Sequence, residues 1–286
     1  MIQFSCADFT FPTLPHERVL QLLSLMDFKL VEVGIFQDRS HLQPADQFDL
    51  PEKRGAMLRA STESHGLSVG GIFLQNSLDF HEFAINHPNV SIREKERDTF
   101  KRAIDYTLAA GSRHFTGLPG CDFNMPDTQR ICCEELMWRV EYSASMGTVY
   151  AVEPHIGSLM EIPEKALEIL KMVKGLTIAL DHSHYIYSGV PLDRIRPLTR
   201  YASVIHARGA AKGEPQTSFE KNETDFSAIA NHLKEVEYSG TICMEYCYLR
   251  WENLNRTDNI SETMKLRQYL ASLIGIDVMR TNYQCG

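Results

Sequence analysis

The chain has 286 residues, of which 43% are hydrophobic, 23% charged and 9% aromatic, and its formal net charge is -8 at pH 7. This composition is typical of a globular protein with a large core, and the negative charge disfavours nucleic acid as a partner. No stretch reaches the roughly twenty apolar residues of a membrane-spanning helix, and the first five residues (MIQFS) lack the basic start of a signal peptide. We therefore expect a cytoplasmic protein that binds neither membranes nor nucleic acid.

Strand-like and helix-like segments alternate along the chain, which predicts parallel βαβ units. Several strand candidates are apolar almost throughout, as expected for strands covered on both faces. The eight candidates are Ile2–Cys6, Phe28–Ile35, Leu67–Leu74, His114–Leu118, Thr148–Glu153, Leu176–Asp181, Ser203–Ala207 and Thr241–Tyr246. No linker or low-complexity segment divides them. The pattern therefore predicts one (β/α)8 TIM barrel domain over residues 1–286, with its active site at the C-terminal ends of the strands.

The helices between these strands have recognisable start and stop signals. The string SIRE at 91–94 predicts a capping box at the start of a helix that runs to Gly111. Two further helices are predicted from Pro163 to Gly175 and from the pair at 224–225 to Gly240.

One long segment, Gln75–Val90, follows the third strand and is rich in Asn, Asp, His and Pro. Long loops after barrel strands usually lie over the active site, so we predict a lid here. The competing fold is an open doubly wound sheet, which would require a glycine-rich phosphate turn after the first strand. The chain has ADFTF at 7–11 instead, which favours the barrel.

Seven cysteines are present, an odd number without any CxxC pair. They are Cys6, Cys121, Cys132, Cys133, Cys243, Cys247 and Cys285. We expect reduced thiols. The spacing of Cys243 and Cys247 would place both on one strand face, but small buried hydrophobic side chains are a better interpretation than zinc ligands.

Each of the last four strands ends with a carboxylate or an imidazole in apolar surroundings. Their segments are VYAVEPH at 149–155, TIALDHSH at 177–184, VIHARG at 204–209 and ICMEY at 242–246, which end on Glu153, Asp181, His206 and Glu245. A charge after a strand is often only a solvated strand end. Four of them at four consecutive barrel strands predict convergence on one point.

Three carboxylates buried together require a compensating cation, because like charges a few ångströms apart raise each other's pKa. We therefore predict one divalent metal ion held by Glu153, Asp181, His206 and Glu245. Three oxygens and one nitrogen suit Mn²⁺, our first expectation, as well as Mg²⁺, Co²⁺ or Zn²⁺.

Strand parity extends the predicted site, because residues two apart on a strand share a face. His155 should point inward with Glu153, and Arg208 with His206, where an arginine beside a metal site would bind a substrate oxygen. Glu32, at the end of the second strand, is a further inward candidate.

The strings EPH at 153–155, DxxH at 181–184, HxRG at 206–209 and MEY at 244–246 resemble the xylose-isomerase-like barrel superfamily of sugar isomerases and epimerases. The resemblance extends over all eight strands and is specific at the level of motifs from Thr148 to Tyr246. In the ketose 3-epimerases of that superfamily, the glutamates that match Glu153 and Glu245 bind the metal and form the acid–base pair. The position that matches His184 contacts the substrate. The arginine of those epimerases lies further beyond the strand-seven histidine than Arg208 does.

These residues suit removal of a proton from the carbon next to a carbonyl, through a metal-stabilised enediolate. We therefore expect an isomerase or epimerase of a free ketose or related polyol, with Glu153 and Glu245 catalytic and His155, His184 and Arg208 in contact with substrate. The resemblance further implies a homodimer or homotetramer. A dehydratase similar to inosose dehydratase shares every step up to the enediolate and stays open as an alternative. An abasic-site endonuclease or a non-catalytic sugar-binding barrel is less favoured.

Overall fold

Eight parallel strands pair in sequence order and close into a barrel, with the first strand next to the eighth. The computed structural model describes residues 2–278, apart from the side chains of Trp251 and Glu252. The strands are β1 Gln3–Ala7, β2 Leu30–Phe36, β3 Ser68–Gln75, β4 His114–Gly117, β5 Val149–Val152, β6 Thr177–Asp181, β7 Ala202–Ala207 and β8 Thr241–Met244. The predicted (β/α)8 barrel is confirmed, and all eight strands overlap their predicted ranges. The open doubly wound sheet is wrong, because β1 and β8 are hydrogen-bonded to each other.

Helices connect the strands and cover the outside of the barrel, which explains why the strands are apolar on both faces. The helices are α1 His16–Leu25, α2 Pro44–Phe48, α3 Pro51–Ser64, α4 Val90–Ala109, α5 Thr128–Ser145, α6 Pro163–Met172, α7 His182–Tyr187, α8 Leu192–Ile195, α9 Phe226–Glu235 and α10 Asn259–Ile274. Among the described residues, no helix is both long and apolar enough to cross a membrane.

The helix-start predictions can be compared with the observed caps. Pro163 is the first residue of α6, and the Asp225 carboxylate accepts a hydrogen bond from the backbone N–H of Ala228 at 2.9 Å, so both of these starts are confirmed. The predicted capping box at 91–94 is wrong. Asn89 caps α4 instead, with its side-chain oxygen accepting from the backbone N–H of Ser91 at 2.9 Å. Asn89 is as good a cap as serine and lies two residues earlier, so the helix begins there.

The described cysteines are all free and buried, consistent with small hydrophobic residues, and Cys285 lies outside the described residues. Cys243 occupies the barrel interior on β8, and burial raises the pKa of its thiol well above the ordinary value. Cys247 lies beyond the strand and accepts a hydrogen bond from Arg208 at 3.3 Å.

The segment from Gln75 to Val90 leaves β3 and lies against α4. It is anchored by the Asn76 side chain, which donates to the Glu96 carboxylate at 2.7 Å. Glu96 is buried, and burial raises its pKa to about 7 against the opposing effects of Asn76 and of Arg139. This carboxylate is therefore a pH-sensitive component of the fold.

Replacing Glu96 by glutamine should stabilise the protein above pH 7. A carboxyl whose folded pKa is raised favours folding below its unfolded pKa of about 4.5, and this contribution is lost as the pH rises through about 7. The ionised Glu96 therefore lowers the free energy of unfolding at high pH by up to about 3 kcal/mol relative to its value at low pH. Urea unfolding of the wild type and Glu96→Gln at pH 5 and pH 8 measures it, with the exposed Glu94→Gln on the same helix as control. Parallel pH dependences of the wild type and Glu96→Gln would contradict this account.

Candidate active site

A cavity of about 500 Å³ opens at the C-terminal ends of the strands. This volume is ordinary for a small-molecule site. Its lining combines an apolar wall with a few polar groups: Phe9, Phe36, Arg39, Gln75, Leu78, Phe80, Glu153, His155, Ile156, His184, Arg208, Glu245, Cys247, Leu249 and Leu254. Leu78 and Phe80 come from the Gln75–Val90 segment, so this segment forms part of the cavity wall, where the predicted lid would lie.

Three predicted ligands meet at the base of this cavity. The Nδ1 atom of His206 lies 2.9 Å from Glu153 Oε1 and 2.9 Å from Glu245 Oε2. One possible ligand atom from each residue falls within 4.8 Å of the others. All three side chains are almost fully buried.

The barrel backbone fixes both glutamates. Glu153 directly follows β5 and its N–H donates to Gly117 O at 2.9 Å, while Glu245 directly follows β8 and its N–H donates to Ala207 O at 3.1 Å. Each glutamate thus continues the sheet pairing for one more residue. β5 and β8 lie on either side of β7 in the strand order, and the two carboxylates reach the same ring nitrogen of His206.

The surroundings shift the pKa values of the two glutamates in opposite directions. Burial by itself would raise the pKa of Glu153, but the nearby His184 and the hydrogen bond and charge of His206 outweigh it and hold the pKa well below the ordinary range. Burial raises the pKa of Glu245, against the opposing charges of His206 and Arg208. The same cluster therefore gives the two carboxylates unequal surroundings.

A third carboxylate contacts His206 at its other ring nitrogen. Glu32 on β2 is buried, and its Oε1 lies 2.8 Å from His206 Nε2. Burial would lower the pKa of His206, but Glu32, Glu245 and Glu153 raise it well above the ordinary value. Even with a charged imidazole, three ionised carboxylates leave a charge of about -2 in the cluster.

The donor set and spacing of this cluster fit a divalent cation. Two ligands at right angles around an ion, each about 2.1 Å from it, are about 3 Å apart, which is close to both Nδ1–carboxylate separations. Glu245 Oε2 is buried without an aligned hydrogen bond among the described residues. A carboxylate oxygen in that position is available to bind a cation. The negative charge left in the cluster would also be balanced by one divalent cation.

Asp181 lies beside this cluster but is paired differently. Its Oδ2 accepts from Arg208 Nη2 at 2.7 Å, and its Oδ1 accepts from the backbone N–H of Ser183 at 2.7 Å. Arg208 also donates to Ser183 Oγ at 2.8 Å, so the charges of Asp181 and Arg208 cancel locally. The role of Asp181 as a fourth ligand and that of Arg208 as a substrate contact stay predictions. In this structure Asp181 holds Arg208, which lines the cavity.

Two histidines form one side of the cavity. The rings of His155 and His184 lie 4.2 Å apart between centroids, and His184 Nε2 is 3.5 Å from Asp181 Oδ2 and 3.8 Å from Glu153 Oε1. Burial and the neighbouring His184 lower the pKa of His155 to about 4, so this ring is neutral at pH 7. Both histidines line the cavity, as the strand-parity argument requires for His155. His182, in contrast, faces a separate surface cleft between α8 and α9.

Three polar or charged residues of the cavity or the cluster received no firm role from the sequence. Glu32 was identified only as an inward candidate, and Arg39 and Gln75 were not identified as site residues. The signal for Glu32 was present, because a carboxylate within an otherwise apolar strand must face a partner. Arg39 lies in a loop, whose path no strand pattern specifies.

A closed parallel barrel with a carboxylate–histidine cluster at its C-terminal face defines a TIM-barrel protein with a candidate metal centre. The chain belongs to the xylose isomerase-like TIM barrel family, whose sequence profile matches residues 20–270. The resemblance identified from the motifs is therefore confirmed. None of the curated proteins compared matches the chain.

Solved structures share the fold at low sequence identity. An L-ribulose 3-epimerase is 17% identical with a TM-score of 0.75, covering 96% of this chain and 95% of its own. A probable 3-DHS dehydratase from Bacillus anthracis is 14% identical with a TM-score of 0.69, covering 93% and 98%. A xylose isomerase-like TIM barrel protein from Mycobacterium smegmatis, solved with magnesium, is 13% identical with a TM-score of 0.72, covering 95% and 96%. Likeness at these identities shows the shared fold.

Proposed function

We propose that this chain is a divalent-metal-dependent isomerase or epimerase that acts on a keto sugar or related polyol by removing a proton next to a carbonyl. The observation that carries the proposal is the meeting of Glu153, His206 and Glu245 at the base of a cavity large enough for a small molecule. The family, and the epimerase among the similar structures, support this choice of reaction.

Glu153, His206 and Glu245 would hold the cation, with Asp181 as the fourth ligand after release from Arg208. A bound divalent cation supplies Lewis-acid stabilisation of the negative charge that develops when a proton leaves the carbon next to a carbonyl. Mn²⁺ is our first expectation, with Mg²⁺, Co²⁺ and Zn²⁺ as alternatives.

The two glutamates are the proposed proton-transfer groups. Glu153 and Glu245 come from strands on different sides of His206, which allows one to remove a proton from one face of the substrate and the other to deliver a proton to the opposite face. This exchange inverts the carbon and gives epimerisation. If one glutamate makes both transfers, the product is an isomer. His155, His184 and Arg208 would orient the substrate hydroxyls.

A dehydratase is the second candidate. His184 lies beside His155 in the cavity wall, where a group that protonates a departing hydroxyl would be needed, and one similar structure is named as a probable dehydratase. Both reactions begin with the same proton removal. Only the fate of the intermediate separates them.

Metal content and deuterium exchange test the proposal together. We expect about one equivalent of divalent metal in the purified protein, or on titration with Mn²⁺, Mg²⁺, Co²⁺ and Zn²⁺. Incubation in D₂O with ketoses, inososes and keto-sugar acids should then place deuterium next to the carbonyl of at least one compound. The product, an epimer, an isomer or an elimination product, identifies the reaction. Protein that binds no metal and exchanges no deuterium would refute the proposal.

A further inference from the structure

Arg39 is a cationic group in the cavity that the proposed chemistry does not use. It lies in the loop after β2, is half-buried, and lines the same cavity as Glu153 and Glu245. Its guanidinium carbon is 6.0 Å from the centre of the Phe36 ring and 5.8 Å from that of Phe80. These aromatic rings hold the side chain over the cavity without neutralising its charge.

Among the side chains that the structure describes, Arg39 has no carboxylate within 4.0 Å. Its hydrogen-bond acceptor is the neutral side-chain oxygen of Gln75, and its Nε is buried without a hydrogen bond. Arg208, the other arginine of the cavity, has Asp181 at 2.7 Å. Burial accordingly lowers the pKa of Arg39, whereas the pKa of Arg208 is raised, since Asp181 and other negative groups outweigh its burial.

A half-buried guanidinium without an anion is unfavourable until something supplies the opposite charge. The planar fork of arginine matches a carboxylate, which accepts two of its N–H groups at once. The groups in contact with Arg39 are the apolar rings of Phe36 and Phe80 and the neutral amide of Gln75. A phosphate dianion normally requires several donors, so this environment favours a single carboxylate.

We propose that Arg39 anchors a carboxylate subsite, so that the substrate is a keto-sugar acid instead of a neutral ketose. The inference rests on the proposed function for the position of the reacting carbonyl at the glutamate cluster. In this arrangement Arg39 binds the carboxylate end of the substrate while the carbonyl end faces Glu153 and Glu245. Arg39 would then determine specificity without taking part in proton transfer.

Matched ligand pairs test the subsite. The probes are D-fructose, D-tagatose, D-psicose and D-sorbose, each beside the derivative with C6 oxidised to a carboxylate and beside its 6-phosphate. Calorimetric titration uses metal-loaded wild type, Arg39→Gln and Arg39→Lys, with the exposed Arg18→Gln as control. We expect at least one acid to bind the wild type about 10-fold or more tightly than its neutral parent. The preference should disappear in Arg39→Gln, persist in part in Arg39→Lys and be unchanged in Arg18→Gln.

Several results would overturn the carboxylate subsite. They are equal or tighter binding of the neutral sugars to the wild type, tightest binding of the phosphates, a preference for acids that survives in Arg39→Gln, and failure of every acid to bind. A folding control accompanies the titration: Arg39→Gln removes an uncompensated charge, so its Tm should equal or exceed that of the wild type. A Tm well below the wild type would indicate that Arg39 serves the fold.

Deuterium exchange separates the two proposals. If neutral ketoses exchange deuterium and no Arg39-dependent preference for acids exists, the metal-dependent reaction stands and the carboxylate subsite fails. If acids bind through Arg39 but no compound exchanges deuterium, the subsite stands and the proposed reaction fails.

Discussion

Replacing Glu153 or Glu245 by glutamine should lower the rate of substrate turnover by about 10²- to 10⁴-fold. Glutamine keeps the shape of the side chain but can neither accept the substrate proton nor contribute a negative charge to the cluster around His206. Turnover of the substrate found in the exchange screen measures the effect. The exposed Glu134→Gln on α5 is the matched control, because it removes a surface carboxylate far from the cavity and should leave the rate unchanged.

The two variants should also differ from each other if the reaction is an epimerisation. With a glutamate on each face, each variant retains one base, which can still exchange the proton of one epimer with solvent. Glu153→Gln and Glu245→Gln should therefore incorporate deuterium into opposite epimers, while interconversion is lost in both. Metal content must be determined first, because loss of the cation would abolish exchange in either variant. Turnover near the wild-type rate in both metal-loaded variants would rule out their catalytic role.

The barrel could be predicted because its main determinants are local. Strands buried on both faces produce short apolar runs, and the intervening helices carry proline starts and glycine stops such as Pro163 and Gly175. The capping error near Asn89 shows the limit of such signals. Two good caps two residues apart compete, and the path of the preceding loop determines which one begins the helix.

The candidate site was predictable in part for a geometric reason. Carboxyl ends of barrel strands meet at one face, so Glu153, His206 and Glu245 had to converge once the strands were located correctly. Strand parity likewise placed His155 and Arg208 beside them. Which of the converging groups would pair is a separate question. Asp181 has an arginine and a histidine within reach, and only the relative positions of β6 and β7 show that Arg208 is its partner.

Residues outside the strand-end pattern could not be placed from sequence. The Arg39 side chain reaches the cavity by lying over the rings of Phe36 and Phe80. Sequence periodicity predicts neither the path of its loop nor that its charge has no carboxylate partner among the described residues. Glu32 is different, since a charged residue inside an apolar strand indicates a buried partner. The identity of that partner, His206, depends on the packing of β2 against β7 across the barrel interior.

Replacing Glu32 by glutamine should weaken divalent-cation binding about 10- to 100-fold while preserving the fold. Glu32 Oε1 faces His206 Nε2 at 2.8 Å, on the opposite side of the ring from Glu153 and Glu245. A carboxylate there favours a proton on Nε2 and leaves Nδ1 directed at the two glutamates as a ligand atom. The negative charge of Glu32 also makes the imidazole a stronger electron-pair donor, so that it coordinates a cation more tightly. Glutamine has nearly the same volume but lacks that charge.

Competition titration with a metal-binding indicator gives the affinity, and ¹⁵N shifts of the His206 ring report the tautomer, a readout that a purely structural role would not change. Glu96→Gln is the matched control, because it also removes a buried carboxylate but lies against Asn76, away from the cluster. A change in metal affinity below about 3-fold, with unaltered ring shifts, would mean that Glu32 only fills the barrel interior. A selective loss of affinity in Glu32→Gln would instead extend the metal centre beyond the strand ends, to a residue that orients its histidine from within the barrel.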